Sequence, residues 1–251
     1  MTELKSSDLP KIDLLIGGSP CQGFSFSGKQ LNFEDPRSKL FFEYVRLLKE
    51  CEPKYFLLEN VVMKKEYQDV ISECLGVEPI LVNSNLVSAQ NRQRLYWTNI
   101  PNVGQPNDMN INLVDILEDN VLIDGKPIKI VDLNKATILG RRLNLNGIRK
   151  DYDKDIPITQ CLEVRATNRN KSNCLTTVAK DNVLTTMSIG RHLDVFNLKL
   201  PFRYYTIKEY CRLQTVPDDY FDGIVSDNQI RKMIGNGWTV DVIAHIFKNI
   251  I

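Results

Sequence analysis

Short apolar runs that alternate with stretches of helical periodicity constrain the fold of this chain more than any other feature of the sequence. Runs of this kind predict buried strands, and they lie at residues 12–16, 55–58, 80–82 and 95–97. Apolar residues at a spacing of about 3.6 predict amphipathic helices between them, at residues 38–51 and 66–75. Ser38 can cap the first helix and Gly76 can end the second. The alternation predicts an α/β fold with a mostly parallel sheet.

The regular pattern is interrupted after residue 101. Residues 102–190 are rich in Asn, Asp, Lys and Thr and show weak periodicity, which predicts an inserted lobe of short strands and loops. Regularity returns in two helices near the end of the chain, where Thr206 and Glu209 have the spacing of a capping box. These helices are predicted at residues 206–213 and 239–250. We therefore expect a partial α/β core at residues 1–101, the lobe at 102–190 and a return to the core at 191–251.

Composition and cysteine spacing exclude several classes of protein. The 251 residues are 43% hydrophobic and 25% charged, and no apolar run approaches the roughly 20 residues of a membrane span. None of the six cysteines forms a CxxC pair and the two histidines are isolated, which argues against a zinc site or a disulfide framework. Cysteine usage of this kind indicates a reducing compartment, so we expect a cytoplasmic protein that does not bind membranes.

Charge is balanced over the whole chain but not locally. The net charge of +1 gives no long-range field that would attract nucleic acid or a membrane surface. Residues 135–171, however, contain nine Lys or Arg against four Asp or Glu, an excess of five positive charges. Such an excess is compatible with a solvated loop face and with a surface that attracts an anionic partner.

Polar residues follow the first two predicted strands at the point where each strand ends. Cys21 lies in a Gly- and Pro-rich loop, residues 17–25, in the position where α/β folds bind ligands. An accessible thiol there can act as a nucleophile, although a turn that merely contains a cysteine is equally compatible with the pattern. Glu59 follows four apolar residues. Partial desolvation therefore favours a carboxyl group that holds a proton near neutral pH, with a helix cap as the alternative.

Two arginines stand two positions apart at the entry to the fourth predicted strand. Alternation along a strand directs the side chains of Arg92 and Arg94 to one face. Two guanidinium groups on one face suit an anion or an oxygen-rich ligand, whereas a solvated edge strand would show the same pattern. The arginines taken alone therefore do not decide between a binding site and an exposed edge.

Five motifs occur in one order along the chain: PCQGFS, ENV, QNRQRLYW, RYYT followed by RLQ, and GNG. Together they resemble the cytosine-C5 DNA methyltransferase family, and the phrases SKLFFEYVRLL, ENVV, LVSAQNRQRLYW and GNGWTVDVIAHIF are most similar to its de novo branch. The resemblance implies a Rossmann-like, S-adenosylmethionine-dependent methyltransferase fold. In that fold residues 102–190 would form the target-recognition lobe, inserted into a catalytic core.

The resemblance also implies a role for each matching residue. Cys21 would add to C6 of a cytosine that is flipped out of double-stranded DNA, and Glu59 would engage N3 and the exocyclic amine. Arg94, with Arg92 beside it, would hold O2, and C5 would take a methyl group from S-adenosylmethionine. The cofactor contacts would be Pro20, Asn236, Gly237 and Trp238. The DNA contacts would be Gln22, Ser25, Arg165, Asn168 and Arg169, where the local positive charge suits phosphate.

The sequence departs from the family in its cofactor motifs. Only nineteen residues precede Pro20, and neither they nor the rest of the chain contain an FxGxG-like turn. The fold would then be incomplete on its N-terminal side, and residues 12–16 would form an exposed apolar edge. We expect a second polypeptide to supply the missing strands and the cofactor turn. A truncated gene, with Met1 as an internal methionine, would explain the same observation.

Two functions of other classes compete with the enzyme. A non-catalytic DNA-binding or regulatory module derived from such an enzyme is favoured by the missing cofactor turn and disfavoured by the retention of the four catalytic residues. A cysteine hydrolase that uses Cys21 with His192 or His245 is a weaker alternative. His245 lies on the last predicted helix, where a packed or solvated side chain is the simpler interpretation.

Overall fold

The chain divides into two compact units. A computed structural model describes residues 4–19, 40–119, 122–123, 125–130, 133–144, 146, 148–164, 170–192 and 194–250. The first unit comprises Met1–Asn83, Gln93–Pro106 and Val242–Ile251, and the second comprises Ser84–Arg92 and Asn107–Asp241. These units do not follow the boundaries predicted at residues 101 and 190, because residues 84–92 and 191–241 belong to the same unit as the predicted lobe.

The predicted strands and helices are present, with ends that differ from the prediction by at most three residues where the structure describes them. The described strands are β1 (Leu14–Gly18), β2 (Tyr55–Val61), β3 (Ile80–Asn83), β4 (Gln93–Thr98), β5 (Leu122–Ile123), β6 (Lys126–Pro127), β7 (Asn134–Arg142), β8 (Ile158–Val164), β9 (Val183–Thr185), β10 (Gly190–His192) and β11 (Phe202–Tyr204). The described α-helices are α1 (Leu40–Cys51), α2 (Lys65–Leu75), α3 (Leu113–Ile116), α4 (Ile207–Leu213), α5 (Asp227–Asn236) and α6 (Val240–Phe247). None of these helices is long and apolar enough to cross a membrane.

The first unit contains a four-stranded mixed sheet with the order β1-β2-β4-β3. β1 and β2 are parallel, whereas β4 runs antiparallel to both β2 and β3. The prediction of a mostly parallel sheet is therefore wrong for the described strands, since one of their three pairings in this sheet is parallel and two are antiparallel. The reason is the connection between β3 and β4, residues 84–92, which is shorter than the dozen or so residues that a parallel crossover needs.

Helices α1 and α2 bury their apolar stripes in the core of the first unit. The core contains side chains from both helices and from β2 and β4, among them Phe41, Tyr44, Leu58, Ile71 and Trp97. The indole N–H of Trp97 donates to the Ser72 hydroxyl at 3.0 Å, which links β4 to α2. A Cβ at Gly17 would lie 2.8 Å from the ring of Tyr44, so β1 passes α1 at a distance that only glycine allows. The predicted end of α2 is confirmed by Gly76, whose φ is 72°.

The second unit is built on a five-stranded antiparallel sheet with the order β10-β8-β7-β9-β11. β7 and β8 form a hairpin in which Ala136 opposes Val164 and Arg142 opposes Ile158. One side of the sheet buries an apolar cluster that includes Ala136, Ile138, Leu162, Val164 and Val183. Since β11 completes the sheet, the sheet extends beyond residue 190, which explains why the unit crosses the predicted boundary of the lobe.

Helix α4 begins with the predicted capping box, which is confirmed. The hydroxyl of Thr206 accepts the Glu209 backbone N–H at 3.2 Å, and the carboxylate of Glu209 accepts the Thr206 backbone N–H at 2.9 Å. Glu209 is fully buried, and Arg203 on β11 donates to its two oxygens at 2.7 and 2.8 Å. The bidentate pairing compensates the buried carboxylate and fixes the start of α4 against the sheet.

Candidate active site

The parallel pairing of β1 and β2 places two of the sequence motifs side by side. Gly18, at the end of β1, lies opposite Glu59 in register. The side-chain amide of Asn60 donates to the hydroxyl of Ser19 at 2.9 Å. The two segments are therefore still in contact one residue after Gly18 and Glu59. This edge of the sheet is where α/β folds bind ligands. Four of the predicted residues, Pro20, Cys21, Gln22 and Ser25, lie outside the described residues.

Glu59 is buried within β2, which continues to Val61 instead of ending at residue 58 as predicted. The Nε of Arg94 lies 2.8 Å from its Oε1, and the two side chains are only 15% and 12% exposed. A pair with so little solvent contact is screened less than a surface pair, so its attraction is stronger. The structure therefore brings two predicted catalytic residues together, in an ion pair that sequence reasoning did not predict.

Arg92 has different neighbours, all of them in the second unit. Its guanidinium donates to the main-chain oxygens of Leu175, Gly235 and Gly237 at 3.1, 3.3 and 2.8 Å, and to the sulfur of Cys174 at 3.3 Å. The residue is only 3% exposed. Arg92 thus meets Gly237, a predicted cofactor residue, whereas Arg94 meets Glu59. Alternation predicted one face for the two arginines but not their partners, and Arg92 lies just before β4 rather than on it.

Arg92 belongs to a buried polar network that the sequence analysis did not identify. Its other members are Ser84, Ser88, Gln90, Gln214 and Thr239, all at most 1% exposed. Gln90 donates to the main-chain oxygen of Leu213 at 2.9 Å and accepts the Leu175 N–H at 2.7 Å. Polar residues at the alternate positions 88, 90 and 92, directly before β4, were the available signal.

The same network holds the turn between α5 and α6. Gln214 donates to the main-chain oxygens of Ile234 and Gly237 at 2.9 and 3.1 Å, and Thr239 donates to the Gln214 side-chain oxygen at 2.7 Å. A Cβ at Gly235 would lie 2.4 Å from the main-chain oxygen of Thr176, so only glycine fits there. The backbone of the GNG motif is therefore fixed from several sides.

The held turn carries three of the predicted cofactor residues. Asn236 is exposed, and Gly237 and Trp238 are half-buried. An exposed amide beside a partly accessible indole can form hydrogen bonds and stack on an aromatic nucleoside, so these residues fit one side of an S-adenosylmethionine site.

The predicted DNA contacts Arg165, Asn168 and Arg169 lie outside the described residues. Two lysines from the positively charged region, residues 135–171, form hydrogen bonds within the protein instead of extending into solvent. The ammonium group of Lys171 donates to the main-chain oxygens of Asn85, Ser88 and Ile111 at 2.7, 3.1 and 2.6 Å, and Lys135 donates to that of Lys171 at 2.8 Å. Burial lowers the pKa of both lysines. The charge count of residues 135–171 therefore overstates the charge that is offered to a partner.

The two histidines contact main-chain oxygens. Nε2 of His192 lies 2.8 Å from the oxygen of Ser188, and Nε2 of His245 lies 3.0 Å from that of Gly104. These contacts suit packed or solvated side chains, as the sequence analysis expected of His245. They give no support to the cysteine hydrolase.

Solved structures with the same fold include the Entamoeba histolytica methyltransferase EhMeth and a Spodoptera frugiperda DNMT2 mutant. The first has a TM-score of 0.59 at 16% identity and covers 95% of this chain and 78% of that chain. The second has a TM-score of 0.59 at 17% identity and covers 99% of this chain and 83% of that chain. The protein thus has the Rossmann-like fold of the S-adenosylmethionine-dependent methyltransferases, as predicted.

Sequence comparison places the chain within this class. The model of the C-5 cytosine-specific DNA methylase family matches residues 1–251, and the chain belongs to that family. The type II methyltransferase M1.ScrFI of Lactococcus lactis subsp. cremoris is 30% identical over 269 residues, covering 100% of this chain and 65% of that protein. The type II methyltransferase M.HpaII of Haemophilus parainfluenzae is 29% identical, covering 100% of this chain and 75% of that protein. The predicted family is confirmed, whereas the de novo branch stays a prediction.

A double-mutant cycle on Glu59→Gln and Arg94→Met tests the buried ion pair. We expect a coupling free energy of unfolding of about 1–3 kcal/mol, because removal of either partner leaves the other charge buried without compensation. Urea unfolding of the wild type, both single variants and the double variant measures this coupling.

The control is the exposed pair of Arg46 and Glu50 on α1, whose atoms are also 2.8 Å apart. Solvent screens this pair, so the corresponding cycle with Arg46→Met and Glu50→Gln gives a much smaller coupling. Equal couplings in the two cycles contradict a buried, interacting pair at Glu59.

Proposed function

We propose that the chain is a DNA (cytosine-5)-methyltransferase, or the catalytic subunit of a split one, which acts on a cytosine flipped out of double-stranded DNA. The observation that carries the proposal is the register of β1 and β2, which sets Gly18 opposite Glu59. Cys21 is only three residues beyond Gly18, so a nucleophile and a carboxyl group come from neighbouring strand ends. Membership of the C-5 cytosine-specific DNA methylase family supports the same function.

The proposed chemistry joins the Cys21 thiolate to Glu59. The thiolate adds to C6 of the cytosine, the electron pair of the C5–C6 double bond moves toward C5 and the ring, and Glu59 holds the proton that N3 takes up. C5 then bonds to the methyl carbon and loses its own proton to a water molecule. The C5–H electron pair re-forms the C5–C6 double bond, Cys21 leaves C6 as a thiolate, and N3 returns its proton to Glu59. When bound, S-adenosylmethionine supplies the electrophilic methyl group that C5 accepts.

The ion pair of Glu59 and Arg94 suits the edge of a cytosine. N3 and the exocyclic O2, which is bonded to the adjacent ring atom C2, lie on one edge of cytosine, and a carboxyl group and a guanidinium that lie 2.8 Å apart can contact them at the same time. In the proposal Arg94 neutralises the negative charge that grows on O2 when the thiolate adds, as preorganised donors do at other reacting centres.

The remaining predicted residues have supporting roles in the proposal. Arg92 is a positioning residue, since its donors hold the main chain at Leu175, Gly235 and Gly237. Pro20 and the Asn236–Trp238 turn contact the cofactor. Gln22, Ser25, Arg165, Asn168 and Arg169 contact the DNA. The type II methyltransferases among the relatives support a role in restriction-modification, and the five free cysteines among the described residues suit the cytoplasm.

Covalent trapping of a modified cytosine tests the chemistry. We expect a duplex that contains 5-azacytosine to form a denaturant-stable adduct with the wild type, because the ring nitrogen makes C6 electrophilic without methyl transfer. Cys21→Ser forms no adduct, Cys51→Ser forms it normally, and Glu59→Gln forms it about 10²–10⁴-fold more slowly. A denaturing gel measures the adduct.

A second duplex separates the enzyme from the non-catalytic module. With 5-fluorocytosine the adduct accumulates only after methyl transfer, so it requires S-adenosylmethionine and a complete cofactor site. Reversible binding of both duplexes, without any adduct, would show that the chain is a binding module.

We also propose that a second polypeptide completes the cofactor site. Within the described residues β1 has a paired strand on one side only, and Ile16 on this strand is 46% exposed. A free strand with an exposed apolar side chain favours pairing with a further strand. The chain spans 65% of the length of the type II methyltransferase M1.ScrFI. It contains no FxGxG-like turn, and in the proposal the added strands bring that turn.

Calorimetric titration with S-adenosylmethionine tests the second polypeptide. We expect no measurable binding to the isolated 251-residue chain and tight binding to the complex that copurifies with it from its own cells. Tight binding by the isolated monomer contradicts the proposal. Intact-mass measurement of the native protein is the control. Two polypeptides, one of them the 251-residue chain, agree with the proposal, whereas one longer polypeptide contradicts it.

A further inference from the structure

A cluster of three charged residues lies on the sheet of the second unit. In the register of β8 and β10, Arg191 is directly opposite Glu163. On the other side of β8, Thr137 of β7 opposes Glu163, and Arg141 is four positions further along β7. Even spacing along a strand keeps side chains on one face, so Arg141, Glu163 and Arg191 share a face of the sheet.

One carboxylate in this cluster lies within ion-pair distance of two guanidinium groups. The Nε atoms of Arg141 and Arg191 lie 3.5 and 3.3 Å from the same oxygen, Oε1 of Glu163. The side chain of Glu163 is 7% exposed and that of Arg141 is 16% exposed, whereas that of Arg191 is 39% exposed. The buried carboxylate therefore attracts two cations without a hydrogen bond from either to its Oε1, and the surplus positive charge reaches solvent at Arg191.

Neighbouring acids do not remove the surplus. Asp151 approaches Arg141 only to 4.0 Å, and it also forms an ion pair with Arg149. Three arginines and two acids thus leave a net charge of +1. The cluster around Arg46 has the opposite balance, because one guanidinium there serves the carboxylates of Glu43 and Glu50.

The charge of the adjoining sequence has the same sign. β8 ends at Val164, directly after the cluster, and the sequence from Arg165 to Asn170 contains two basic residues and no acid. A concentration of guanidinium groups on one face is the electrostatic footprint of a site for phosphate.

We propose that Arg191 binds the phosphate backbone of double-stranded DNA and that Glu163, with Arg141, positions its guanidinium. This inference rests on the proposed function, in which DNA is the substrate. The Nε of Arg191 lies 3.3 Å from Glu163 Oε1, a charge contact rather than a hydrogen bond, so the donors of its exposed guanidinium stay available for two phosphate oxygens. The contact anchors the duplex without reading its sequence.

Fluorescence anisotropy with a fluorescein-labelled 30-base-pair duplex of mixed sequence tests the contact. We expect Arg191→Ala to weaken binding about tenfold at about 0.1 M salt and to reduce the slope of log K against log salt by about 0.9, the value for one lost phosphate contact. Arg191→Lys keeps the charge and the slope. Arg46→Ala removes the same charge from a guanidinium that pairs with the carboxylates of Glu43 and Glu50, and it leaves both affinity and slope unchanged.

Glu163→Gln tests the positioning role separately. This variant raises the net charge by one, so a purely long-range effect would tighten DNA binding. If the carboxylate orients Arg191, the loss of that orientation weakens binding about threefold instead. Tighter binding by Glu163→Gln overturns the positioning role.

The outcomes also separate this inference from the proposed function. If the wild type binds DNA and Arg191→Ala binds with the same affinity and slope, the phosphate contact is overturned and the proposed function stands. A loss confined to one DNA sequence overturns the phosphate contact in favour of a base contact. If the wild type does not bind the duplex, the proposed function fails as well.

Discussion

The parallel pairing of β1 with β2 is the constraint on which the proposed chemistry depends. Five successive residues of each strand are in register, from Leu14 opposite Tyr55 to Gly18 opposite Glu59. Side chains of a strand alternate between faces, so a slip of one residue would turn Glu59 away from its present side. The close approach of Gly17 to the Tyr44 ring and the bond from Asn60 to Ser19 both oppose such a slip. The geometry of the site thus follows from ordinary strand pairing.

The second unit depends on a different kind of interaction, a buried network of polar side chains. Ser88, Gln90 and Arg92, in the segment before β4, donate to main-chain oxygens of Leu213, Leu175 and the GNG motif. Burial of polar groups costs free energy unless they are paired, and here main-chain acceptors provide the pairing. A network of this kind fixes the turn that carries Asn236 and Trp238 more rigidly than apolar packing would, because each bond has a preferred direction.

The sequence predicted the positions of helices and strands better than the contacts between residues that are distant in the chain. Helical periodicity located α1 and α2, and the spacing of Thr206 and Glu209 predicted the capping box, because these signals are local. The predicted direction of β4 was wrong, because strand direction depends on the length of the preceding connection rather than on the residue pattern of the strand itself. Long-range contacts could not be predicted from the sequence. Nothing near Arg92 in the chain indicates that it contacts Gly237, and nothing near Lys171 indicates that its ammonium group donates to main-chain oxygens. Motif order, by contrast, was enough to identify the family.

The central claim is that a thiol and a carboxyl group from neighbouring strand ends engage one extruded cytosine. A crystal structure of the methylating complex, trapped on a duplex that contains 5-fluorocytosine, measures this directly. The account predicts a covalent bond from the Cys21 sulfur to C6 and a Glu59 oxygen within hydrogen-bond distance of N3 of the same ring. A cytosine bound elsewhere, with the Cys21 sulfur and the Glu59 carboxyl group on opposite sides of the first unit, would contradict it.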